Sequence, residues 1–351
     1  MARNRRTRTV VGLDIEPGHV AAVEAGLNGG ITVERAAIAE LEPEVMRDGE
    51  VNDAESLSET LRQLFAEHKL NKRVRLGVAN QRIVMRTLDL PRLDDAKDLE
   101  AAVRFQAQEN IPMPLDQAIL DFHAMGNVQT PDGERTRVVL VAARRDMVER
   151  LIAAARGAGL RPDGIDLSAF AMVRALGDAS PVQEPALYLN VAGMTNIAIA
   201  DGTTCRFTRV VAGGFETMVA QLAERRALTL EHSRQWLTHV GLTTPIETVD
   251  GDDEIVADAR SVLADGARRV ADEVRNSLDF QRAQDASSEV GHAILTGPAV
   301  AITGFAEQLS ADLGVPVETR VVREAHPGAL GGVDVGRLSV AAGLAVEERP
   351  A

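Results

Sequence analysis

"VVGLDIEPGHVAAVE", Val10 to Glu24, is an apolar run that ends on an acid, turns over Pro17-Gly18 and resumes at once as a second apolar run. Two such runs joined by a Pro-Gly turn read as a β-hairpin. Its acid, Asp14, is either an ordinary strand-end residue or the mark of a phosphate-binding hairpin, in which turn amides cradle phosphate oxygens. A second stretch has the same grammar: "ALYLNVAGMTNIAIADGTTCRFTRVVAGG", Ala186 to Gly214.

Around each hairpin the pattern continues in the same order. In the first, Val10 to Ile15 and His19 to Ala25 are followed by a strand over Ile31 to Leu41. Asp53 then caps a helix whose Leu57, Leu61, Leu64 and Phe65 share one face, and Val74 to Ala79 is a short apolar strand. In the second, Leu187 to Val191, Asn196 to Ala200 and Arg206 to Val211 are three strands, and Gly213-Gly214 leads into a helix with Met218, Val219 and Leu222 on its stripe. A β-β-β-α order that occurs twice predicts an α/β protein of two similar lobes around a cleft, with the hairpins facing each other across it.

The totals agree. A chain of 351 residues exceeds the usual size of one core. A net charge of −14 argues against general nucleic-acid binding, which needs a basic surface. The single cysteine, Cys205, excludes an intrachain disulfide and fits a reducing compartment. "MARNRRTRT" has the charge of a signal-peptide start, but Asp14 interrupts the apolar run behind it, so it reads as a solvated tail. No stretch approaches the ~20 apolar residues of a membrane span, and the expected location is cytoplasmic.

Between the repeats lies a separate module. A strand from Ile83 to Leu90 meets Pro91, and Asp94 opens a helix carrying Leu99, Val103 and Phe105. "NIPMP" stops that helix, because Pro112 and Pro114 cannot continue it. Strands over Ala118 to Met125 and Thr136 to Ala143 flank the turn "TPDGE", and a helix from Asp146 to Ala158 closes the unit. "DASPVQEP" is a linker by composition. After the second repeat come a helix over Leu230 to Val240, the acid run "DGDDE", a long helix with Ile255, Val262, Leu263, Val270, Val274 and Leu278 on its stripe, and the strand and Gly turn "HAILTGPAV".

Several segments together make the chain resemble the actin-like ATPase superfamily, and within it the PilM family of type IV pilus assembly proteins, relatives of FtsA. These are "GLDI" (Gly12 to Ile15), "AAVRFQAQENIPMPLDQAILDF" (Ala101 to Phe122), "VVLVAARRDMVERLIAAARGAGLRPDGIDL" (Val138 to Leu167), "VVAGG" (Val210 to Gly214) and "EVRNSLDFQR" (Glu273 to Arg282). The "NIPMPLDQ" segment is the most specific. The resemblance implies an actin-like (ribonuclease H-like) two-lobed fold with an FtsA/PilM-type inserted subdomain. Residues 1–82 would begin the first lobe, 83–160 form the insert, 161–182 return to the first lobe and link, and 183–351 form the second lobe, with a helical part at about 215–290. It implies ATP and Mg²⁺ in the cleft, with Asp14, Asn190, Gly193, Thr195, Gly213, Gly214 and Gly297 at the nucleotide and Asp14 at the metal. It also implies a cytoplasmic scaffold, peripheral at the inner face of the membrane. Such a scaffold holds the N-terminal tail of a PilN-like bitopic protein, and through it meets a PilO-like one. The peptide groove would involve Phe105, Ile111, Pro112 and Phe122, with Phe105 and Ile111 exposing an apolar strip. Self-association is left open.

The nucleotide motifs depart from the family pattern. Glu16 and Pro17 stand where the first hairpin normally has Gly and a small residue. A carboxylate there repels a triphosphate, and proline removes an N–H donor. Asn190 replaces the usual Asp of the second hairpin, and a neutral amide is a poor base. Pro298 intrudes on the adenosine turn. These changes predict a weak or absent ATPase. The rival readings are an active ATPase or sugar kinase, which would need a catalytic Asp where only Asp201 stands at a turn, and an FtsA-like filament former, which would need a C-terminal amphipathic helix where the sequence has "EERPA". His232 and His239 are too far apart on their helix to share an ion, "DGDDE" reads as a helix-start acid cluster, and Ser168 lacks the G-x-S-x-G elbow.

Overall fold

The computed structural model describes residues 10–346 apart from 28, 94, 132, 178–183, 285–288 and 329. The arginine-rich opening, Asp94, most of the "DASPVQEP" linker and the closing "EERPA" lie outside the described residues.

The first hairpin forms as read. Strands β1 (Val11–Glu16) and β2 (His19–Leu27) pair antiparallel from Gly12↔Val23 to Glu16↔His19, and Gly18 takes the positive φ (93°) that closes the turn. β3 (Ile31–Glu40) pairs with β2. A two-residue hairpin follows, β4 (Met46–Arg47) with β5 (Glu50–Val51). Helix α1 (Ala54–Glu67) is capped by Asp53, whose carboxylate accepts from the Glu55 and Ser56 amides at 3.0 Å. β6 (Arg73–Val78) then returns parallel to β1.

The insert consists of β7 (Val84–Pro91), α2 (Ala96–Asn110), β8 (Ala118–Thr130) and β9 (Gly133–Arg144), with the strands in the order β7-β9-β8. Asp95 caps α2. The β8–β9 hairpin runs longer than its apolar pattern suggested, with paired residues as far as Thr130↔Gly133. Helix α3 (Arg145–Gly157) follows it in sequence but packs elsewhere. Leu151, Ala154 and Ala155 join the first lobe's core with Leu57, Leu61 and Leu64 of α1, and the Ser58 hydroxyl donates to the Ala154 carbonyl at 2.9 Å. β10 (Arg161–Leu167) pairs parallel with β6, and α4 (Ser168–Leu176) closes the first half.

The second half repeats the first. β11 (Ala186–Val191), β12 (Thr195–Asp201) and β13 (Thr204–Val211) form a meander. Helices α5 (Phe215–Arg226), α6 (Leu230–Val240) and α7 (Asp253–Gln284) follow it. Then β14 (His292–Thr296) pairs parallel with β11, α8 (Phe305–Leu313) crosses, and β15 (Val317–Thr319) pairs parallel with β14. The first sheet is ordered β10-β6-β1-β2-β3, extended by β16 (Arg323–Glu324), and the second β15-β14-β11-β12-β13. Element for element the two orders coincide, as the doubled β-β-β-α pattern requires.

Alternation along the strands sorts the side chains into separate cores. In β1, Val11, Leu13 and Ile15 face α1 and α3, which leaves Gly12, Asp14 and Glu16 on the other face. The two sheets meet across α4 and α9 (Ser339–Leu344), in a core of Ala21, Val23, Tyr188, Ala198 and Ile294 with the small residues of both helices. The approach is backbone to backbone. A Cβ at Gly12 would stand 1.8 Å from the Ala341 carbonyl oxygen, and one at Gly343 1.9 Å from that of Ala171. This seam places the Asp14 and Glu16 ends of β1 opposite the start of the second repeat.

Candidate functional site

The two hairpins meet tip to tip. A Cβ on Gly193 would fall 2.3 Å from the Pro17 carbonyl oxygen and 2.9 Å from Pro17 Cδ, so the turns are already in contact. Between them lies the Glu16 side chain, 1% exposed. Its Oε2 accepts from the Gly193 amide at 2.9 Å, and its Oε1 accepts from Asn190 Nδ2 at 3.1 Å and Asn196 Nδ2 at 3.3 Å. One acid of the first lobe is thus held by N–H donors of the second.

Asp14, two residues back on the same strand face, is equally buried, and the Ser168 hydroxyl donates to its Oδ1 at 3.4 Å. Burial pushes Asp14 up from 3.8 to about 7, which the Ser168 hydrogen bond only partly offsets. Glu16 is raised well above the usual carboxylate range. Burial is the main cause and the charge of Asp14 the next, and the Gly193 and Met194 amides oppose them. The pair therefore retains protons at pH values where ordinary surface carboxylates have none.

Beside the first hairpin is a second polar cluster that joins the lobes. Glu40, at the end of β3, pairs with Arg337 at 2.6 Å and Arg234 of α6 at 2.9 Å. Glu216, in the first turn of α5, pairs with Arg234 at 2.7 Å and Arg337 at 3.4 Å. Glu216 and both arginines are largely buried, and a Cβ on Gly18 would meet Glu216 Cγ at 2.8 Å. His19 is buried next to them. Burial, then Arg337 and Arg234, hold its pKa well below the usual value of 6.5, so it stays neutral.

The residues expected at a nucleotide are brought together, but their groups are committed to each other. Thr195 is buried and its hydroxyl donates to the Gly213 carbonyl at 2.8 Å. Gly214 is pressed against the Ala192 carbonyl, and Gly297, at φ 90°, against Asn190 Oδ1 and the Val191 backbone. The Gly193 amide, the cradle's donor, already serves Glu16. ATP and Mg²⁺ do not fit this donor set: its N–H groups are already taken by the Glu16 carboxyl group. Asp14 accepts from the Ser168 hydroxyl, and among the described residues no cluster of three or more His, Cys, Asp or Glu side chains could hold a metal ion. Asp201 forms an ion pair with Arg206 at its turn. Glu16 was visible in the sequence as an obstacle to phosphate, but its partners Asn196 and Gly193 were not. Nor were Glu40, Glu216, Arg234 and Arg337, which lie far apart in the chain; the one local hint was Glu216 directly after Gly213-Gly214-Phe215.

The groove residues divide differently than expected. Val103, Ala107 and Ile111 form the buried face of the insert's core with Leu88, Leu90, Val138 and Leu140, and half-buried Phe122 packs against it. Ile111 is only 7% exposed, so it does not share an apolar strip with Phe105, which is 63% exposed. Six residues along a helix of 3.6 per turn leave the two roughly 120° apart. Phe105 stands on the outer face of α2, and Pro112 is exposed beyond the helix end. The other constellations read from sequence are structural: Asp252 accepts from the Glu254 and Ile255 amides at the start of α7, and His239 accompanies Trp236 and the Asp250 carbonyl.

Two sheets of matching topology, packed across α4 and α9 with a hairpin from each at the seam, define the two-lobed actin-like fold. A family model described as "Type IV pilus assembly protein PilM" matches residues 12–242. The chain belongs to the PilM family. Among solved structures it is similar to the "PilM-PilN type IV pilus biogenesis complex", with 24% identity over 96% of this chain and 97% of that one and a TM-score of 0.76. It is also similar to the ethanolamine utilization protein EutJ of Carboxydothermus hydrogenoformans, at 17% identity over 96% and 88% with a TM-score of 0.53. MreB5 of Spiroplasma citri bound to ADP matches at 13% identity over 96% and 95%, with a TM-score of 0.55. Among the described residues no helix is long and apolar enough to cross a membrane.

Proposed function

We propose that this chain is a scaffold of a type IV pilus assembly platform that captures the N-terminal segment of a PilN-like membrane protein beside its inserted subdomain, and so is recruited to the inner face of the cytoplasmic membrane. The observation that carries this reading is Phe105. A phenylalanine 63% exposed on a helix whose opposite face is fully buried contributes nothing to its own subdomain's core. A large exposed aromatic with no role in its own core is available as an anchor for a partner chain. Pro112 and the half-buried Phe122 lie on the same subdomain and extend the candidate surface. Ile111 supports the surface from within.

The reading asks no catalysis of the cleft, whose buried contacts hold the two lobes together. A neighbour on this fold, MreB5, is bound to ADP, whereas the interlobe groups of this chain are committed to one another. The ATPase and kinase alternatives gain nothing from the site, since the acid nearest the second hairpin, Glu16, is committed to the Gly193 amide and to the Asn190 and Asn196 side chains.

Phe105→Ala tests the proposal. Replacing an exposed side chain should leave the thermal midpoint within about 1 °C, because surface substitutions change stability by less than about 0.5 kcal/mol. Affinity for a synthetic PilN-type N-terminal peptide, read by fluorescence anisotropy, should fall at least ~30-fold, as for a hot-spot aromatic worth about 2 kcal/mol. Peptide binding unchanged by the substitution would remove Phe105 from the groove.

A further inference from the structure

The cleft between the hairpins is the part of the molecule that the scaffold role leaves unexplained. The Gly193 amide, at the tip of the second hairpin, points at a space that an oxyanion would fill in a nucleotide-binding hairpin of this shape. Asn190 and Asn196 point into the same space, and all three donate to Glu16. Pro17 seals one side against Gly193, and Asn190 meets Gly297 on the other. Donors converging on one carboxyl group from across a domain seam form a site for oxygen acceptors that already holds its occupant.

We infer that Glu16 is a tethered substitute for phosphate. Its carboxyl group occupies the oxyanion cradle of the second lobe and keeps the lobes closed, so that closure requires no nucleotide. The ligand class of the vacated site is then an inorganic oxyanion. A tethered group has an advantage over a free one, because it gives up no translational freedom on binding and acts at high effective concentration. Pro17 suits this arrangement, since a proline supplies no amide for a competing phosphate and stiffens the turn that presents Glu16.

The test uses the full chain, its Glu16→Gly variant, and Glu16→Gln as the conservative control. Wild type should show no saturable heat with Mg-ATP at millimolar concentration, and its melting temperature should not respond to inorganic phosphate beyond the effect of chloride at equal ionic strength. Glu16→Gly should melt lower, and phosphate should restore part of the loss; a ~10-fold excess over the dissociation constant raises the midpoint by about 2 °C. Glu16→Gln keeps an acceptor for the Gly193 amide and should not respond to phosphate. Saturable micromolar binding of Mg-ATP to wild type would overturn the inference, and so would a Glu16→Gly variant that responds to phosphate no more than wild type does. If Glu16→Gly does not fold, Glu16→Ser takes its place in the same phosphate titration. None of these readings involves the peptide, so failure here and failure at Phe105 are distinguishable.

Discussion

At the scale of the residue, Asp14 carries the sharpest consequence. Folding moves it from 3.8 to about 7 by burying it, so the folded chain binds this proton more tightly than the unfolded chain. Its contribution to stability is therefore whole below about pH 4, is lost progressively as the pH rises through about 7, and is constant above. Asp14→Asn cannot ionise and removes that slope. The variant should gain on wild type by about 1.4 kcal/mol per pH unit through the window, reaching the order of 4 kcal/mol at pH 8. Urea unfolding of both proteins at pH 5 and pH 8 measures it, and a stability difference independent of pH would contradict it. His19 acts in the opposite direction: held neutral in the fold, it contributes stability above its ordinary value of 6.5 that is lost as the pH falls.

At the scale of the element, the decisive contact is the seam of α4, α9 and β1. Backbones this close need residues without side chains at the contact, and Gly12 of β1 and Gly343 of α9 supply them. Gly343→Ala would drive a methyl group into the Ala171 carbonyl, and neither backbone can yield without separating the sheets. The expected loss is at least the ~1–3 kcal/mol typical of overpacking. Gly164→Ala is the control, since a Cβ there meets nothing closer than 3.6 Å and its φ is negative enough for any residue. Its cost should stay below about 1 kcal/mol. Equal costs in denaturant titrations would show that the crossing is not the constraint. Helix α2 makes the contrasting point: its inner face is fixed by the insert's core, while its outer face carries Phe105 into solvent.

At the scale of the whole molecule, the lobes are joined by packing and by charge. Arg337 and Arg234 each pair with both Glu40 of the first sheet and Glu216 of the second lobe. Breaking a buried pair costs more than the pair contributes, because the remaining charge stays desolvated. Arg337→Ala should destabilise the protein by roughly 3 kcal/mol, the low end of the 3–5 kcal/mol range, because Arg234 still serves Glu216. The loss should appear in a single cooperative transition if the lobes unfold together. A change under about 1 kcal/mol would mean that the cluster is well solvated and does not join the lobes.

The doubled β-β-β-α order, the hairpin at Pro17-Gly18, the amphipathic stripe of α1 and the chain reversal at "NIPMP" were determined by the sequence, because each depends on turn chemistry or on periodicity within a short window. The long-range partners were not. That α3 would leave the insert for the first lobe's core depends on which apolar face it meets, and Leu151, Ala154 and Ala155 suit either neighbour. The inward turn of Ile111 followed from helical phase, once Val103 and Ala107 had chosen the core. Glu16 could be read locally as hostile to phosphate. Only the tertiary structure decided what it does instead, since its donors Asn190, Gly193 and Asn196 reach it from another repeat and no local pattern records that distance.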